Sequence, residues 1–341
     1  MSGKGRSRSK GVYTLAVCQF TPVLFDVAGN LARIEDMARA AARGGARRAV
    51  FPECAVSGYA TGEAAKRMAD FAEPVLGDGP GPSVYRLIEL STTLDLSLQV
   101  GLAERAGTNL YNSAVSFAPH EGVTGVFHKV HLWFDDMGVF TPGEGFEVRP
   151  GPVGSYGSAI CYDLDFPEAA RTVALLGADL LALSTANYGP WEQQQRIFAR
   201  ARAAENQIYV AVANQVGLVG ETEFFGAGMI VGPEGEVLAD AGAEETVVFA
   251  EIDVAAVAES RKGEDYLRQR RPEAYRIRLG RAGGGPDGPP PARPSALSAP
   301  SGGSTRLASA GCRPGRWPSR RSGRRHAAGR SGRSPSGPRC T

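Results

Sequence analysis

The sequence predicts a layered α/β fold, and three observations lead to this prediction. Short apolar runs of strand length alternate along the chain with longer segments whose apolar residues recur at helical spacing. In some places predicted strands also follow one another without a helix between them, a combination typical of layered α/β architecture. The chain has 341 residues, of which 43% are hydrophobic, enough to build the core of one large domain or two small ones.

The first half of the chain supplies the first strands and helices. The apolar run at 12–20 is predicted to be the first strand, because it is too short for the apolar region of a signal peptide. Asn30 is predicted to cap a helix over 31–43, since Gly44 and Gly45 follow as a stop signal. The other elements predicted in this half are strands at 48–51, 96–103, 111–117 and 123–129, a short helix within the Gly- and Pro-punctuated region 57–82, and a helix at 83–93.

The second half is organised around a cysteine at the end of a strand. A buried strand is predicted at 155–160 and stops at Cys161, and Pro167 is well placed as the first residue of a helix that Gly177 ends. A long loop over 130–150 comes before this strand. The other elements predicted in this half are strands at 179–183, 208–214, 226–232, 237–240 and 246–252 and helices at 190–204 and 254–261.

The two ends of the chain differ in composition from its body. Residues 1–10 hold four basic and no acidic side chains, and residues 281–341 hold 12 arginines and one aspartate. The body at 11–280 holds 22 basic and 35 acidic side chains, and this net charge of −13 argues against nucleic acid as its partner. We therefore predict one domain at 11–280, between a disordered basic leader at 1–10 and a disordered Gly-, Pro-, Ser- and Arg-rich tail at 281–341.

Neither a membrane span nor a disulfide framework is indicated by the sequence. No apolar run approaches the roughly 18 residues that a membrane span needs. The five cysteines, at positions 18, 54, 161, 312 and 340, form no Cys-x-x-Cys pair and no regular framework, which suits a reducing compartment. We therefore expect a cytoplasmic protein with no membrane partner.

Three side chains that can take part in catalysis, Glu53, Lys129 and Cys161, each stand at the end of a predicted strand. Taken singly, they could be a surface carboxylate, a solvated charge and a small buried core residue. Taken together, they supply a base, a fixed cation for an oxyanion and a thiol nucleophile. Cys161 also lies close to a predicted helix N-terminus, where exposed N–H groups and the helix dipole would favour its thiolate.

The segments around these three residues resemble the nitrilase or carbon–nitrogen hydrolase superfamily. They read FPECAVSGY around Glu53, HKVHLW around Lys129 and ICYDLDFPE around Cys161, and the segments at 200–217 and 224–240 continue the resemblance to about the end of the predicted domain. The resemblance implies a four-layer αββα sandwich of the α/β class. It also implies a Glu–Lys–Cys triad without a metal or other cofactor, and assembly as a homodimer or larger homo-oligomer.

In the mechanism that this resemblance implies, Glu53 takes the proton of Cys161 and later gives it to the leaving amine. Lys129 and the backbone N–H of Tyr162 hold the oxyanion, and a thioester forms and is hydrolysed. Asp136 stands where many members of the superfamily have a second glutamate, and it is the candidate for a fourth acidic residue. The residues expected to contact the substrate are Tyr59, Tyr162, Tyr188 and Trp191. His128 and His131 resemble loop residues of the superfamily rather than zinc ligands, because no further ligand partners accompany them.

The C-terminal part of the predicted domain bears on the substrate. The segment EDYLRQRRPEAY at 264–275 resembles branches of the superfamily that hydrolyse small aliphatic amides, including ω-amino amides. We therefore expect a primary amide to be converted to an acid and ammonia, with an N-carbamoyl amine or amino acid, or a nitrile, as alternatives. A catalytically silent binding relative would lack a member of the triad, an acyltransferase would usually bring membrane helices, and a papain-like protease would need a histidine base, for which only His326 follows Cys161.

Overall fold

The computed structural model describes residues 11–77 and 79–275, and the predicted leader, tail and boundary near residue 280 lie outside them. In the first half of the chain the elements are β1 (Val12–Gln19), α1 (Val27–Arg43), β2 (Ala46–Val50), α2 (Pro82–Leu94), β3 (Ser97–Ala106), β4 (Asn109–Ala118) and β5 (Gly122–His128). In the second half they are β6 (Val148–Pro150), β7 (Ser155–Ile160), α3 (Pro167–Leu175), β8 (Leu180–Thr185), α4 (Glu192–Asn206), β9 (Tyr209–Asn214), β10 (Val216–Val219), β11 (Thr222–Phe225), β12 (Met229–Val231), β13 (Val237–Asp240), β14 (Thr246–Asp253) and α5 (Val254–Ser260). Short 3₁₀ helices cover Gly62–Phe71, Cys161–Asp165 and Pro272–Ala274.

Within the described residues the strands form two mixed sheets of six strands each and one hairpin. The first sheet has the order β14-β1-β2-β3-β4-β5, and the second has the order β13-β12-β9-β8-β7-β6. Three neighbouring strands at the centre of each sheet are parallel, β1 with β2 and β3 in the first and β7 with β8 and β9 in the second, while the flanking pairs are antiparallel. The carboxyl ends of parallel strands therefore meet at one edge of each sheet, the usual place for a site in such folds.

The two sheets pack face to face, with helices on their outer faces. Strand β1 shows how alternation builds these layers, because Ala16 and Cys18 belong to the cluster formed with α1 and α2, whereas Leu15 and Val17 belong to the cluster shared with the second sheet. Helices α3 and α4 pack in the same way on the outer face of the second sheet. The predicted four-layer αββα sandwich is confirmed.

Helix α1 begins four residues before the predicted start. Its N-cap is Asp26, whose side chain accepts a hydrogen bond from the backbone N–H of Gly29. The prediction that Asn30 caps this helix is wrong. Asn30 lies inside the helix, and its side chain bonds both the N–H and the carbonyl of Val23 and the carbonyl of Val56. It therefore connects the start of α1 to the loop that follows Glu53.

Most other predicted elements are present, with ends that differ by a few residues. Strand β6 and the hairpin of β10 and β11 were not predicted, because strands of three or four residues are too short for a periodic pattern to stand out. The 3₁₀ turn Cys161–Asp165 separates β7 from α3, so Cys161 does not lie directly in front of a helix. No helix within the described residues has both the length and the apolar composition of a membrane span.

Candidate active site

The three predicted catalytic residues follow β2, β5 and β7, and contacts between the two sheets bring them together. The backbone N–H of Glu53 donates to the carbonyl of Thr185 at the end of β8 (3.3 Å). The side chain of Gln215 donates to the carbonyl of Glu53 (2.8 Å). Both bonds join the turn after β2, in the first sheet, to the ends of β8 and β9, in the second. The backbone of Glu53 is thus held where the two sheets contact each other.

A fully buried ammonium lies between two buried carboxylates. The Nζ atom of Lys129 is 2.7 Å from Oε1 of Glu53 and 2.6 Å from Oδ2 of Asp136. Asp136 is held in turn by the hydroxyl of Tyr59, which donates to Oδ1 (3.1 Å), and by the backbone N–H of Trp133, which donates to Oδ2 (2.9 Å). The shorter side chain of aspartate therefore reaches the lysine, at the place where the sequence predicted a fourth acidic residue.

Asn112 on β4 also holds Glu53, and no sequence pattern had marked it as a site residue. Its Nδ2 atom donates to Oε1 of Glu53 at 2.7 Å and lies 3.5 Å from Oδ1 of Asp136. Oε1 of Glu53 thus receives hydrogen bonds from both Lys129 and Asn112. Oε2 of Glu53 is buried, and within the described part of the chain it has no hydrogen-bond partner. One oxygen of this carboxylate is therefore held while the other is available to a proton.

The charges within this cluster act on one another through a buried environment. Burial raises the pKa of Glu53; the charge of Lys129 lowers it, Asp136 raises it, and the net direction is upward. Burial alone would lower the pKa of Lys129, but the charges of Asp136 and Glu53 raise it well above its ordinary value. Lys129 is therefore a permanent cation, while Glu53 is a base of increased proton affinity.

Cys161 is the first residue after β7, and its backbone lies in the left-handed region, with φ of +46°. This conformation is uncommon for a residue other than glycine. Its side chain is nearly buried, and Sγ lies 3.2 Å from Oδ1 of Asn187. Burial raises the pKa of the Cys161 thiol and the charge of Glu53 raises it further, although Lys129 lowers it. The prediction that a helix N-terminus favours the thiolate is wrong, because the 3₁₀ turn separates Cys161 from α3 and the buried surroundings favour the neutral thiol.

The lysine segment is attached to the cysteine turn through Asp163. Its Oδ1 atom accepts from the backbone N–H (2.9 Å) and from Nδ1 (2.8 Å) of His131, and its Oδ2 atom accepts from the backbone N–H of Ile160 (3.0 Å). His131 also stacks on Phe166, with ring centroids 3.7 Å apart. The other predicted loop histidine, His128, contacts Glu104 instead (2.9 Å). Asp163 therefore sets the position of the Lys129 segment relative to Cys161.

Three of the four predicted substrate contacts meet around Trp133. Trp133 packs edge to face with Tyr162, with ring centroids 4.9 Å apart, and with Trp191, at 6.4 Å. Its Nε1 donates to the hydroxyl of Tyr188 (2.9 Å), which in turn donates to Oδ2 of Asp135 (3.3 Å). These four rings form an aromatic wall beside the turn of Cys161. Trp133 was not among the predicted contacts, although it ends the HKVHLW segment.

Tyr59, the fourth predicted substrate contact, does not lie in the aromatic wall. It is almost fully buried, and its hydroxyl is bonded to Asp136. The phenol ring lies 5.6 Å from Nζ of Lys129, measured to the ring centroid. Tyr59 therefore acts on the position of Asp136 and Lys129, and its hydroxyl already has a partner in the protein.

Comparison with known proteins agrees with this geometry. A profile described as carbon-nitrogen hydrolase matches residues 14–262. The chain belongs to the carbon–nitrogen hydrolase family. An (R)-stereoselective amidase from a Pseudomonas species is 34% identical over 72% of this chain and 87% of its own length. An omega-amidase from Xenopus tropicalis is also 34% identical, over 78% of this chain and 97% of its own.

Solved structures lead to the same family. A cysteine mutant of an amidase from Nesterenkonia AN1, described as belonging to the nitrilase superfamily, has a TM-score of 0.70 and 28% identity, covering 80% of this chain and 99% of the other. In a further structure the same amidase carries a covalent adduct at what is described as its active site cysteine. The family resemblance predicted from the sequence is confirmed, and this chain is a carbon–nitrogen hydrolase.

In this carbon–nitrogen hydrolase, Gly101 of β3 allows the turn of Glu53 to approach the sheet. A Cβ atom at this position would lie 2.4 Å from the carbonyl oxygen of Pro52 and 2.6 Å from Cα of Glu53. We expect Gly101→Ala to lower the free energy of unfolding by about 1–3 kcal/mol, because backbone atoms must move to admit the methyl group. We also expect a loss of at least about tenfold in activity, since displacing Glu53 spoils its alignment with Cys161.

The measurements are urea unfolding and ammonia release, with Gly145→Ala as the matched control. A Cβ atom at Gly145 would have no neighbour within 4 Å among residues 11–77 and 79–275, so this variant introduces the same methyl group without a clash there. If Gly101→Ala proves as stable and as active as Gly145→Ala, the close approach at Gly101 has no part in placing Glu53.

Proposed function

We propose that the protein is an amidase that hydrolyses a small aliphatic primary amide to a carboxylic acid and ammonia through a thioester on Cys161. One observation carries the proposal. Glu53 is held through Oε1 by Lys129 and Asn112, while its buried Oε2 has no hydrogen-bond partner among the described residues and its charge acts on the nearby thiol. A base with one available oxygen, beside a thiol that stays protonated, is the arrangement that proton transfer on substrate binding requires.

The proposed reaction uses the three groups in turn. The proton of Cys161 moves to Glu53, and the sulfur attacks the carbonyl carbon of the amide. Lys129 has three N–H donors, of which two are bonded to Glu53 and Asp136, so the third can hold the oxyanion together with the backbone N–H of Tyr162. Glu53 then gives its proton to the nitrogen, ammonia leaves, and a thioester remains. Glu53 takes a proton from a water molecule whose oxygen attacks the thioester carbon, and the C–S bond then breaks to release the carboxylic acid. Glu53 returns this proton to the sulfur, which regenerates the thiol of Cys161.

The charge of the site favours neutral or cationic amides over anionic ones. Two buried carboxylates, Glu53 and Asp136, lie against the single ammonium of Lys129. An additional carboxylate on the substrate would be placed close to this excess negative charge in a buried environment, where charges interact strongly. The hydroxyl of Tyr188 in the aromatic wall is already bonded to Trp133 and Asp135, so the wall offers mainly ring surface to an acyl chain.

Similar proteins support an amide substrate. The relatives described above are named as amidases, and the structure of the Nesterenkonia amidase has been determined with acrylamide and with butyramide. Both ligands are small, uncharged primary amides. The same substrate class suits a site with one cation, two carboxylates and a wall of aromatic rings.

The test is ammonia release from three amides of equal chain length: valeramide, its ω-amino derivative and its ω-carboxylate analogue glutaramate. We expect kcat/KM for one of the first two to exceed that for glutaramate by at least about tenfold, the effect of roughly one unfavourable charge contact. Valeronitrile and an N-carbamoyl amine complete the panel. A nitrile or carbamoyl compound as the best substrate would contradict the proposed amide specificity, and a preference for glutaramate would contradict the charge argument.

The pH dependence of this reaction follows from the raised pKa of Glu53. The base must be deprotonated, so kcat/KM should fall as the pH decreases through the pKa of Glu53. Because this pKa is raised, the fall should occur at a higher pH than it would for an ordinary glutamate, whose pKa is about 4.3. Asn112 donates to Glu53 and lowers its pKa. We therefore expect Asn112→Leu to move the acid limb of the profile to higher pH. The exposed Asn109 on the same strand provides the control, because Asn109→Leu should leave the limb in place. An unmoved limb in Asn112→Leu would argue against Glu53 as the titrating base.

We further propose that the chain assembles as a homodimer or larger homo-oligomer. Large apolar side chains are exposed at the end of α3 (Leu175), directly after it (Leu176) and on α4 (Ile197), the two helices that cover the outer face of the second sheet. Exposed apolar surface, where it is contiguous, is typical of protein–protein contacts. Light scattering after size-exclusion chromatography measures the assembly, and a monomer at micromolar concentration would contradict it.

A further inference from the structure

A chain of hydrogen bonds behind Cys161 fixes the orientation of two side-chain amides. Gln195 on α4 is almost fully buried, and its Nε2 atom donates to the backbone carbonyls of Gly226 (3.3 Å) and Ala227 (3.1 Å). Carbonyl oxygens only accept hydrogen bonds, so the amide of Gln195 must present nitrogen to them. Its Oε1 atom therefore faces the opposite way, toward Asn187.

Asn187 is fixed by this neighbour. Its Nδ2 atom donates to Oε1 of Gln195 (2.9 Å), and this leaves its Oδ1 atom turned to Cys161, 3.2 Å from Sγ. The backbone of Asn187 is held as well, because Asn214 accepts from its N–H (2.8 Å) and donates to its carbonyl (3.1 Å). An amide that can turn would offer the sulfur either a donor or an acceptor. This one offers an acceptor.

We propose that Asn187, oriented by Gln195, is a positioning residue that holds the resting Cys161 as a neutral thiol. An amide oxygen accepts a hydrogen bond from S–H, but its lone pairs oppose the negative charge of a thiolate. The contact therefore stabilises the protonated form of Cys161, whose S–H points to Oδ1 of Asn187 until Glu53 takes the proton. A buried nucleophile kept in this form reacts slowly with electrophiles other than the substrate, since the thiolate is the reactive species. The inference rests on the proposed function only in treating Cys161 as the nucleophile.

Several other groups act on the same thiol. Burial is the largest cause of the raised pKa of Cys161, and the charge of Glu53 raises it further. Lys129, the hydroxyl of Thr185 and the backbone amide of Ala186 lower this pKa. Three further titratable side chains interact electrostatically with Cys161, namely Cys54, Tyr59 and Tyr188. The effect of Asn187 must therefore be measured by changing this side chain alone, with Glu53 and Lys129 intact.

The experiment measures, as a function of pH, the rate at which the small neutral thiosulfonate methyl methanethiosulfonate labels Cys161, whose thiolate forms a methyl disulfide as methanesulfinate leaves. Mass spectrometry of the peptide that contains Cys161 separates its labelling from that of the other cysteines. We expect Asn187→Ala to increase the labelling rate at neutral pH by about three- to tenfold, the effect of losing one ordinary hydrogen bond to the thiol. We expect Asn187→Asp to decrease it, because a carboxylate accepts from S–H and adds a negative charge.

Opposite effects of the two substitutions separate this role from a purely structural one, which would move both profiles in the same direction. Asn109→Ala provides an asparagine control on the protein surface and should match the unchanged protein. Asn187→Ser replaces Asn187→Ala if the latter fails to unfold cooperatively, and it should also increase labelling, because a hydroxyl can donate to the thiolate. Shifts of the same sign in the alanine and aspartate variants, or no shift in either, would overturn the inference. Labelling requires no amide turnover, so its outcome is independent of whether the proposed function holds.

Discussion

Replacing Cys161 by alanine is expected to reduce amide hydrolysis by about 10⁴-fold or more, with little change in the fold. Loss of a nucleophile in a cysteine or serine hydrolase removes the covalent route entirely, and measured losses in such enzymes reach about 10⁶-fold in kcat. The backbone around Cys161 is retained by bonds that do not involve its sulfur, such as those of Asp163 to Ile160 and His131. The measurement is ammonia release, with circular dichroism to establish that the variant is folded.

Cys18→Ala provides the matched control for this substitution. Cys18 is also completely buried, but it lies in the core between β1 and the helices α1 and α2, away from Glu53 and Lys129. Removing its thiol should cost some stability and leave kcat nearly unchanged. Turnover by Cys161→Ala at a rate near that of Cys18→Ala would exclude a thioester at Cys161 and with it the proposed mechanism.

The three residues of the proposed triad could be selected from the sequence because each has a local context. Glu53, Lys129 and Cys161 each follow an apolar strand, and segments of several residues around each carry the family resemblance. Asn112 and Gln195 have no such context. A polar residue in a strand, or in a polar helical turn such as the one that holds Gln195, looks the same in the sequence whether it faces solvent or a buried polar group. Its partner is set by contacts between distant parts of the chain.

The ionisation of Cys161 shows where a local rule fails. The short distance in sequence between Cys161 and Pro167 predicted a thiolate at a helix N-terminus. In the structure the 3₁₀ turn Cys161–Asp165 intervenes, and the dominant effects on the thiol are burial and the charge of Glu53, which comes from the other sheet. Charge effects of this kind depend on the folded arrangement, so a sequence pattern does not contain them.

Replacing Lys129 by methionine is expected both to abolish turnover and to lower the free energy of unfolding by about 3–5 kcal/mol. The stability loss follows because Glu53 and Asp136 would remain buried without their cation. The activity loss follows because no cation then faces the oxyanion. Lys66, whose exposed ion pair with Glu63 spans 2.8 Å, provides the control: Lys66→Met should leave both stability and activity nearly unchanged.

A triple variant separates the two effects of Lys129. When Lys129→Met is combined with Glu53→Gln and Asp136→Asn, no carboxylate of this cluster remains ionised, and the free energy of unfolding should recover most of the loss measured for Lys129→Met alone. Neutral groups of similar volume often replace a buried ion network without loss of stability, or with a gain. Activity should remain absent, because the base and the cation are both gone. A stable, inactive triple variant would mean that the buried charges are retained for the chemistry of Cys161 and not for folding, whereas a variant as unstable as Lys129→Met would assign the lysine a structural role that its charge does not explain.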